Sequence, residues 1–102
     1  MEDLLNIGNK TFNSRLMTGT GKHKTVNDLL QAVNLSETEI ITVAIRRLDL
    51  NNPRKKTILD HLDWSKYQIL PNTAGSRTAK EAIFTAKMAR EVTGSNWIKI
   101  EV

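Results

Sequence analysis

Segments typical of β-strands and of α-helices alternate along this 102-residue chain. Short runs rich in β-branched residues indicate strands, and apolar residues at intervals of three and four indicate helices. The predicted order is a hairpin, then three strand–helix pairs, then a final strand. This alternation, with short connections, favours a parallel sheet joined by right-handed crossovers. Three such units and a further strand fit the beginning of either an open flavodoxin-like sheet or a barrel.

The strands are predicted from local patterns. The hairpin covers Leu4 to Phe12, with Gly8 and Asn9 at its two-residue turn. Pro71 is expected to end the third core strand, because proline brings no N–H to a ladder. The core strands are expected at Arg15 to Thr18, Ile40 to Ile45, Tyr67 to Leu70 and Trp97 to Val102.

Helix boundaries are predicted from capping residues. The first helix should begin after Thr25 and run to about Asn34. The second should follow Thr57, with an apolar face of Ile58, Leu59 and Leu62. The third should open with a capping box from Thr78 to Glu81 and end at Gly94. Its apolar stripe is expected to comprise Ala82, Ile83, Ala86, Ala89 and Val92.

The run from Ile40 to Ile45 predicts a strand with two different faces. The preceding Ser36 to Glu39 resembles a capping box, but the β-branched run that follows it is too short for most helices. Ile41, Val43 and Ile45 share one face, whereas Thr42, Ala44 and Arg46 share the other. The small and polar residues of the second face predict an interior that leaves room for a ligand.

Composition excludes several classes of protein. Cysteine is absent, which removes disulfides, thiolate metal sites and a cysteine nucleophile. No apolar run approaches the ~18 residues typical of a membrane span, and the acidic Met1-Glu2-Asp3 is unlike a signal peptide. His23 and His61 have no partner at metal-ligand spacing, so neither a metal nor another cofactor is expected.

Two features are weak candidates for phosphate contacts. Gly19-Thr20-Gly21 lacks the third glycine of a dinucleotide loop, so a tight turn is the favoured interpretation. The run Arg54-Lys55-Lys56 lies in a polar loop and is interpreted as solvated. The net charge of +4 and the aromatic content of 5 % give little support for nucleic-acid binding.

The last six residues carry the most reactive arrangement. Period-two alternation puts Trp97, Lys99 and Glu101 on one face and Ile98, Ile100 and Val102 on the other. On a solvated face, Lys99 and Glu101 would be ordinary surface charges. In a closed interior, they would be a reactive amine with an acid beside it.

Several stretches together resemble thiazole synthase of thiamin biosynthesis. They occur in collinear order over nearly the whole chain. They are Leu5 to Gly8 with Phe12, Ser14 to Leu16, Gly19 to Lys22, Leu70 to Gly75, Thr78-Ala79 with Glu81-Ala82, Ala89 to Glu91, and Asn96 to Glu101.

The resemblance implies a (β/α)₈ TIM-type barrel whose lower end is covered by the hairpin. It implies an enzyme that uses 1-deoxy-D-xylulose 5-phosphate, dehydroglycine and sulfur. The sulfur arrives as a thiocarboxylate on a small ubiquitin-like carrier protein. The resemblance also implies a homo-oligomer located in the cytoplasm or, alternatively, in the plastid stroma. Lys99 matches the family's Schiff-base lysine, and Glu101 matches a residue that moves protons. No nucleic acid or membrane partner is implied.

The chemistry agrees with this assignment. Schiff-base formation needs a neutral amine, and burial lowers the pKa of a lysine by disfavouring its charged form. Amine attack, dehydration and enamine formation each need an acid or a base.

Length is the main departure from the family. A complete barrel needs about 250 residues, and its phosphate-binding loops usually follow strands seven and eight. Residues 1–102 are therefore expected to be the N-terminal part of one barrel domain: the hairpin, three βα units and the fourth strand. Two other interpretations remain open. One is a class I aldolase-like Schiff-base barrel that needs no sulfur carrier, and the other is a small basic module that binds phosphate or nucleic acid.

Overall fold

An antiparallel hairpin precedes the main sheet in the computed structural model, which describes residues 3–48, residue 51 and residues 56–102. Its strands are β1 (Leu5–Ile7) and β2 (Lys10–Phe12). Gly8 at the turn has φ of +61°, a left-handed conformation that glycine adopts without steric cost. The hairpin predicted from the sequence is therefore confirmed.

The main sheet is parallel and has the order β3-β4-β5. Its strands are β3 (Met17–Gly19), β4 (Ile40–Ala44) and β5 (Gln68–Asn72). β4 lies in the centre and pairs with β3 at Met17↔Ile40 and with β5 at Ile40↔Gln68. The predicted α/β class is confirmed. Among the described residues the sheet is open, and it does not close into a barrel.

The first helix, α1 (Val26–Ser36), covers one face of this sheet. Thr25 caps it, since its hydroxyl accepts the N–H of Asp28 at 3.1 Å. The helix continues two residues beyond the predicted end at Asn34 and closes on Glu37 at φ +56°. Leu29 and Val33 bury its inner face.

β4 has the two faces that its sequence predicts. Ile41, Val43 and Ile45 are at most 1 % exposed and belong to the hydrophobic core. Thr42 and Ala44, on the opposite face, are half-buried. The difference arises because one face meets the helices and the other meets a cavity.

The prediction of a helix after Thr57 is wrong. Only one 3₁₀ turn, Ile58–Asp60, forms there, with a reciprocal capping box between Thr57 and Asp60. Asp63 then starts a tight turn by accepting the hydroxyl and N–H of Ser65 at 2.6 and 3.0 Å. These bonds, the hydroxyl's first, lower the pKa of Asp63. The local bonds replace those that a helix would need.

The basic run of the preceding loop falls mainly outside the described residues. Arg54 and Lys55 belong to the undescribed part of the chain, whereas Lys56 is described and exposed. The predicted character of this run is therefore not tested.

Pro71 does not end its strand, contrary to the prediction. It pairs with Val43 inside β5, and its carbonyl accepts the N–H of Lys99 at 2.9 Å. The main-chain groups of Pro71 thus face residues 97–102, on the side away from β4. The absent N–H costs no bond to β4, which is the condition under which a sheet tolerates proline.

The second helix, α2 (Ala79–Thr93), has only half of the predicted capping box. The hydroxyl of Thr78 accepts the N–H of Glu81 at 3.1 Å. The carboxylate of Glu81, however, accepts the N–H of Arg77 at 2.6 Å and not that of Thr78. Gly94 ends the helix at φ +70°, as predicted.

The predicted apolar stripe of α2 is only partly correct. The buried residues are Ala82, Thr85 and Ala89. Ile83 and Val92 are 56 % and 38 % exposed. The three buried residues are spaced i, i+3 and i+7, and the middle one is a threonine. Because these positions face the rest of the protein, Ile83 faces outward.

The final strand is shorter than predicted. Residues 97–102 form a single parallel bridge to β5, between Asn72 and Lys99. Ile98 packs against the core, but Ile100 and Val102 are 57 % and 73 % exposed. In the described part of the chain, no helix is long and apolar enough to cross a membrane.

We expect the 102-residue chain to self-associate. β3 lies at the edge of the sheet, and an edge strand offers unpaired main-chain groups to another chain. Exposed apolar side chains, including Met17 on β3, add to this tendency. Size-exclusion chromatography with light scattering at micromolar concentration measures the association, and Met17→Lys, which adds an edge charge, should reduce it. A stable monomer would contradict the prediction.

Candidate active site

A cavity of about 470 Å³ opens at the carboxyl ends of the parallel strands. Gly19 and Thr20 line it from the end of β3, and Thr42 and Ala44 line it from β4. Further lining residues are Asn72, Ala74 and Glu101. In parallel α/β sheets, ligands bind outside the carboxyl ends of the strands, so this cavity is the candidate site.

Main-chain hydrogen bonds attach residues 97–102 beside β5. The N–H of Lys99 donates to the carbonyl of Pro71 at 2.9 Å, and the N–H of Thr73 donates to the carbonyl of Lys99 at 3.2 Å. This is the pattern of a parallel ladder, limited to one residue. It places Lys99 level with Asn72, the last residue of β5.

A side chain continues the attachment where the ladder stops. The hydroxyl of Thr73 accepts the N–H of Glu101 and donates to the carbonyl of Glu101, both at 2.7 Å. One hydroxyl can make both bonds because it carries one donor and two acceptor lone pairs. The main chain at Glu101 is thus held on both of its polar groups.

The hairpin anchors the start of the same segment. Trp97 packs edge-on against Phe12 of β2, with ring centroids 5.9 Å apart and an interplanar angle of 84°. Aromatic pairs favour this arrangement. Ile98 adds a contact with the core around Val43 and Ile69.

Lys99 and Glu101 meet at the end of this segment. Nζ of Lys99 lies 2.8 Å from Oε1 of Glu101. Their side chains are 51 % and 38 % exposed, so the pair is half-open to water. The shared face predicted from their spacing is confirmed, whereas their catalytic roles stay predictions.

This arrangement places an amine and a proton acceptor within hydrogen-bonding distance. A primary amine is a nucleophile toward carbonyl carbon once it loses its proton. A carboxylate at 2.8 Å is within the distance at which proton transfer is direct. The pair therefore has the two groups that imine chemistry needs. Glu101 lines the cavity, whereas Lys99 is not among its lining residues and reaches it beside Glu101.

Two cationic side chains, those of Arg47 and Lys56, are among the residues that line the cavity. The side chain of Arg47 lies over the glycine loop, where its Nη1 is 3.2 Å from the position that a Cβ on Gly21 would take. Among the lining residues that the structure describes, Glu101 is the one carboxylate beside these two cations, so the cavity favours an anionic ligand.

The glycine loop from Gly19 to Gly21 belongs to the site, which its weak motif did not predict. The hydroxyl of Thr20 donates to the carbonyl of Thr42 at 3.1 Å and thereby ties the loop to β4. A Cβ on Gly19 would lie 3.6 Å from the hydroxyl of Thr42, which is an ordinary contact distance. The loop therefore serves as a wall of the cavity.

Sequence reasoning missed the role of Thr73 and Arg47 in building this site. Thr73 lies three residues beyond the predicted end of the strand at Leu70 and directly follows β5, at the position where parallel α/β sheets place ligand-binding groups. That position was the available signal, but nothing local distinguishes Thr73 from its neighbours.

The predicted absence of a metal site rests on His23 and His61. His23 lies near the carbonyl of Gly19 at 3.4 Å, and His61 is exposed. Within residues 3–48, 51 and 56–102, no three histidine, aspartate or glutamate side chains cluster as a metal site would require.

Comparison with known proteins identifies relatives of the chain. The family model of thiazole biosynthesis protein ThiG matches residues 6–102. A thiazole synthase of Aquifex aeolicus (strain VF5) is 52 % identical over 101 residues, which cover 99 % of this chain and 38 % of that protein. A thiazole synthase of Cytophaga hutchinsonii is 47 % identical over 102 residues, 100 % of this chain and 39 % of that protein. The chain thus spans about two fifths of the length of the curated relatives it matches.

Proposed function

The chain belongs to the family of thiazole biosynthesis protein ThiG, and we propose that it forms the N-terminal part of a thiazole synthase. The observation that carries this proposal is the contact of Lys99 with Glu101, at 2.8 Å, beside a cavity at the carboxyl ends of parallel strands. Enzymes with a barrel of such strands have their catalytic residues at this end.

The proposed complete fold is a (β/α)₈ barrel in which residues 97–102 become the fourth strand. The parallel bridge between Asn72 and Lys99 supports this position next to β5. The carboxylate of Glu39 accepts the N–H groups of Asn13 and Ser14 at 2.8 and 2.7 Å, which holds the end of the hairpin beside the start of β4. A hairpin across the amino ends of the strands leaves the carboxyl ends free for the substrate.

In the proposed reaction, Lys99 attacks the carbonyl carbon of 1-deoxy-D-xylulose 5-phosphate. Glu101 takes a proton from the attacking nitrogen and transfers it to the former carbonyl oxygen, which gives the carbinolamine. A second proton, from the solvent, converts the hydroxyl into the leaving water and leaves the imine protonated. The product is an imine between Nζ of Lys99 and the substrate. Glu101 can then remove a proton from the carbon next to the imine, which gives the enamine needed for rearrangement.

The remaining substrates complete the ring. A small sulfur-carrier protein delivers sulfur as a thiocarboxylate, and dehydroglycine supplies the nitrogen and the remaining carbon atoms. Deoxyxylulose phosphate and the thiocarboxylate are both anionic, and Arg47 and Lys56 in the cavity lining attract anions. The substrate phosphate is expected to bind to loops beyond residue 102.

The proposal also includes a homo-oligomer in the cytoplasm. These two features follow the family resemblance alone and stay predictions. The carrier protein distinguishes this function from that of an aldolase-like barrel. An aldolase-like enzyme would form the imine and turn over without any sulfur carrier.

The first test is chemical trapping in the full-length enzyme. Borohydride reduces an imine to a stable secondary amine, so treatment in the presence of deoxyxylulose phosphate should leave one covalent adduct on Lys99, located by peptide mass spectrometry. Lys99→Arg should abolish the adduct, because a guanidinium stays protonated. Lys87→Arg, an exposed position on α2, is the matched control and should leave trapping unchanged. An adduct on Lys22 or Lys87, with Lys99 unmodified, would contradict the assignment.

The second test concerns proton transfer. Glu101→Gln in the full-length enzyme should slow turnover by about 10²–10⁴-fold, the usual range for a general acid or base. Trapping at Lys99 should persist at a reduced rate. A half-exposed ion pair contributes about 1 kcal/mol or less to stability, so the variant should remain folded, which urea unfolding checks. Turnover at the wild-type rate would show that Glu101 is only a structural charge.

A further inference from the structure

Thr73 makes three of the hydrogen bonds that hold the segment with Lys99 and Glu101. Its N–H donates to the carbonyl of Lys99 at 3.2 Å. Its hydroxyl accepts the N–H of Glu101 and donates to the carbonyl of Glu101, both at 2.7 Å. The residue is completely buried, with 0 % exposure.

The apolar side chains near this end of the segment provide little packing. Ile100 and Val102 are 57 % and 73 % exposed. The bridge to β5 involves only Lys99. The hydroxyl of Thr73 is therefore the contact that determines where the main chain runs at Glu101.

The position of the main chain at Glu101 decides where its carboxylate lies. Side chains alternate along an extended segment, so a shift by one residue would turn Lys99 and Glu101 to the opposite face. A smaller rotation at Glu101 would keep the face but move its carboxylate away from Nζ of Lys99. A hydroxyl that binds both the N–H and the carbonyl of Glu101 opposes both movements.

We propose that Thr73 is a positioning residue, whose hydroxyl fixes the main chain at Glu101 so that the Glu101 carboxylate serves the Lys99 amine. The proposal rests on the proposed function, because it assigns Thr73 a part in the same imine chemistry. Thr73 itself does not touch the reacting atoms, and its effect passes through Glu101.

The experiment compares Thr73→Val with Thr73→Ser in the full-length enzyme. Valine keeps the shape but removes the hydroxyl, whereas serine keeps the hydroxyl. At saturating deoxyxylulose phosphate, Thr73→Val should slow borohydride trapping at Lys99 by about 10²-fold, the effect expected for a misplaced catalytic group. KM should change little, and Thr73→Ser should recover most of the rate. Thr85→Val, which alters another buried threonine on α2, is the matched control and should trap at the wild-type rate.

A double-mutant cycle separates positioning from general stabilisation. If Thr73 acts through Glu101, then Thr73→Val should add little to the defect of Glu101→Gln, because residues that act as a unit are not additive. If the two defects multiply, the positioning role is overturned.

The outcomes also separate this inference from the proposed function. If the wild-type enzyme gives no adduct on Lys99, the proposed function fails. If the wild type traps normally and Thr73→Val traps at the same rate, only the positioning role fails. Should Thr73→Val not fold, Thr73→Cys replaces it, since a thiol is a weak donor and acceptor of similar size. Wild-type trapping in Thr73→Cys would likewise overturn the inference.

Discussion

The burial of β4 between two parallel neighbours is the constraint on which the rest of the structure depends. Ile41, Val43 and Ile45 contribute one face of this strand to the hydrophobic core, against the helical layer. Pairing on both sides aligns the strands, so that β3, β4 and β5 all end at one edge of the sheet. The half-buried Thr42 and Ala44 leave space on the other face. The cavity is a consequence of this alignment.

Residues 97–102 reach that cavity through few contacts. The aromatic pair of Phe12 and Trp97 secures the start of the segment, and the end of β5 secures its continuation through Lys99. Thr73 then holds Glu101 by its main chain. Because these contacts involve main-chain atoms and aromatic rings, the amine and carboxylate remain available for a ligand. In the proposed barrel, the helix that follows this strand would cover its outer face, where Ile100 and Val102 are now exposed.

The sequence predicted the features that depend on local physics. The caps at Thr25 and Gly94 and the alternating faces of β4 were predicted correctly, because each is determined within a few residues.

Features that depend on tertiary contacts were not predicted. Pro71 remains in β5 because its main chain faces residues 97–102, which no local pattern reveals. Ile83 is exposed because the buried face of α2 includes the polar Thr85, between Ala82 and Ala89. The adjacency of Lys99 and Glu101 followed from their spacing, but the hydroxyl that secures Glu101 belongs to Thr73, 28 residues away.

The most direct measurement of the central claim is residue-resolved amide hydrogen exchange in the full-length enzyme. β5 and Thr73 hold the segment with the proposed catalytic pair through the N–H groups of Lys99 and Glu101. Both amides should therefore exchange far more slowly than in an unstructured chain, and Thr73→Val should selectively accelerate exchange at Glu101. The central claim would be contradicted if both amides exchanged at the rate of an unstructured chain. It would also be contradicted if Thr73→Val left the exchange rate of the Glu101 amide unchanged.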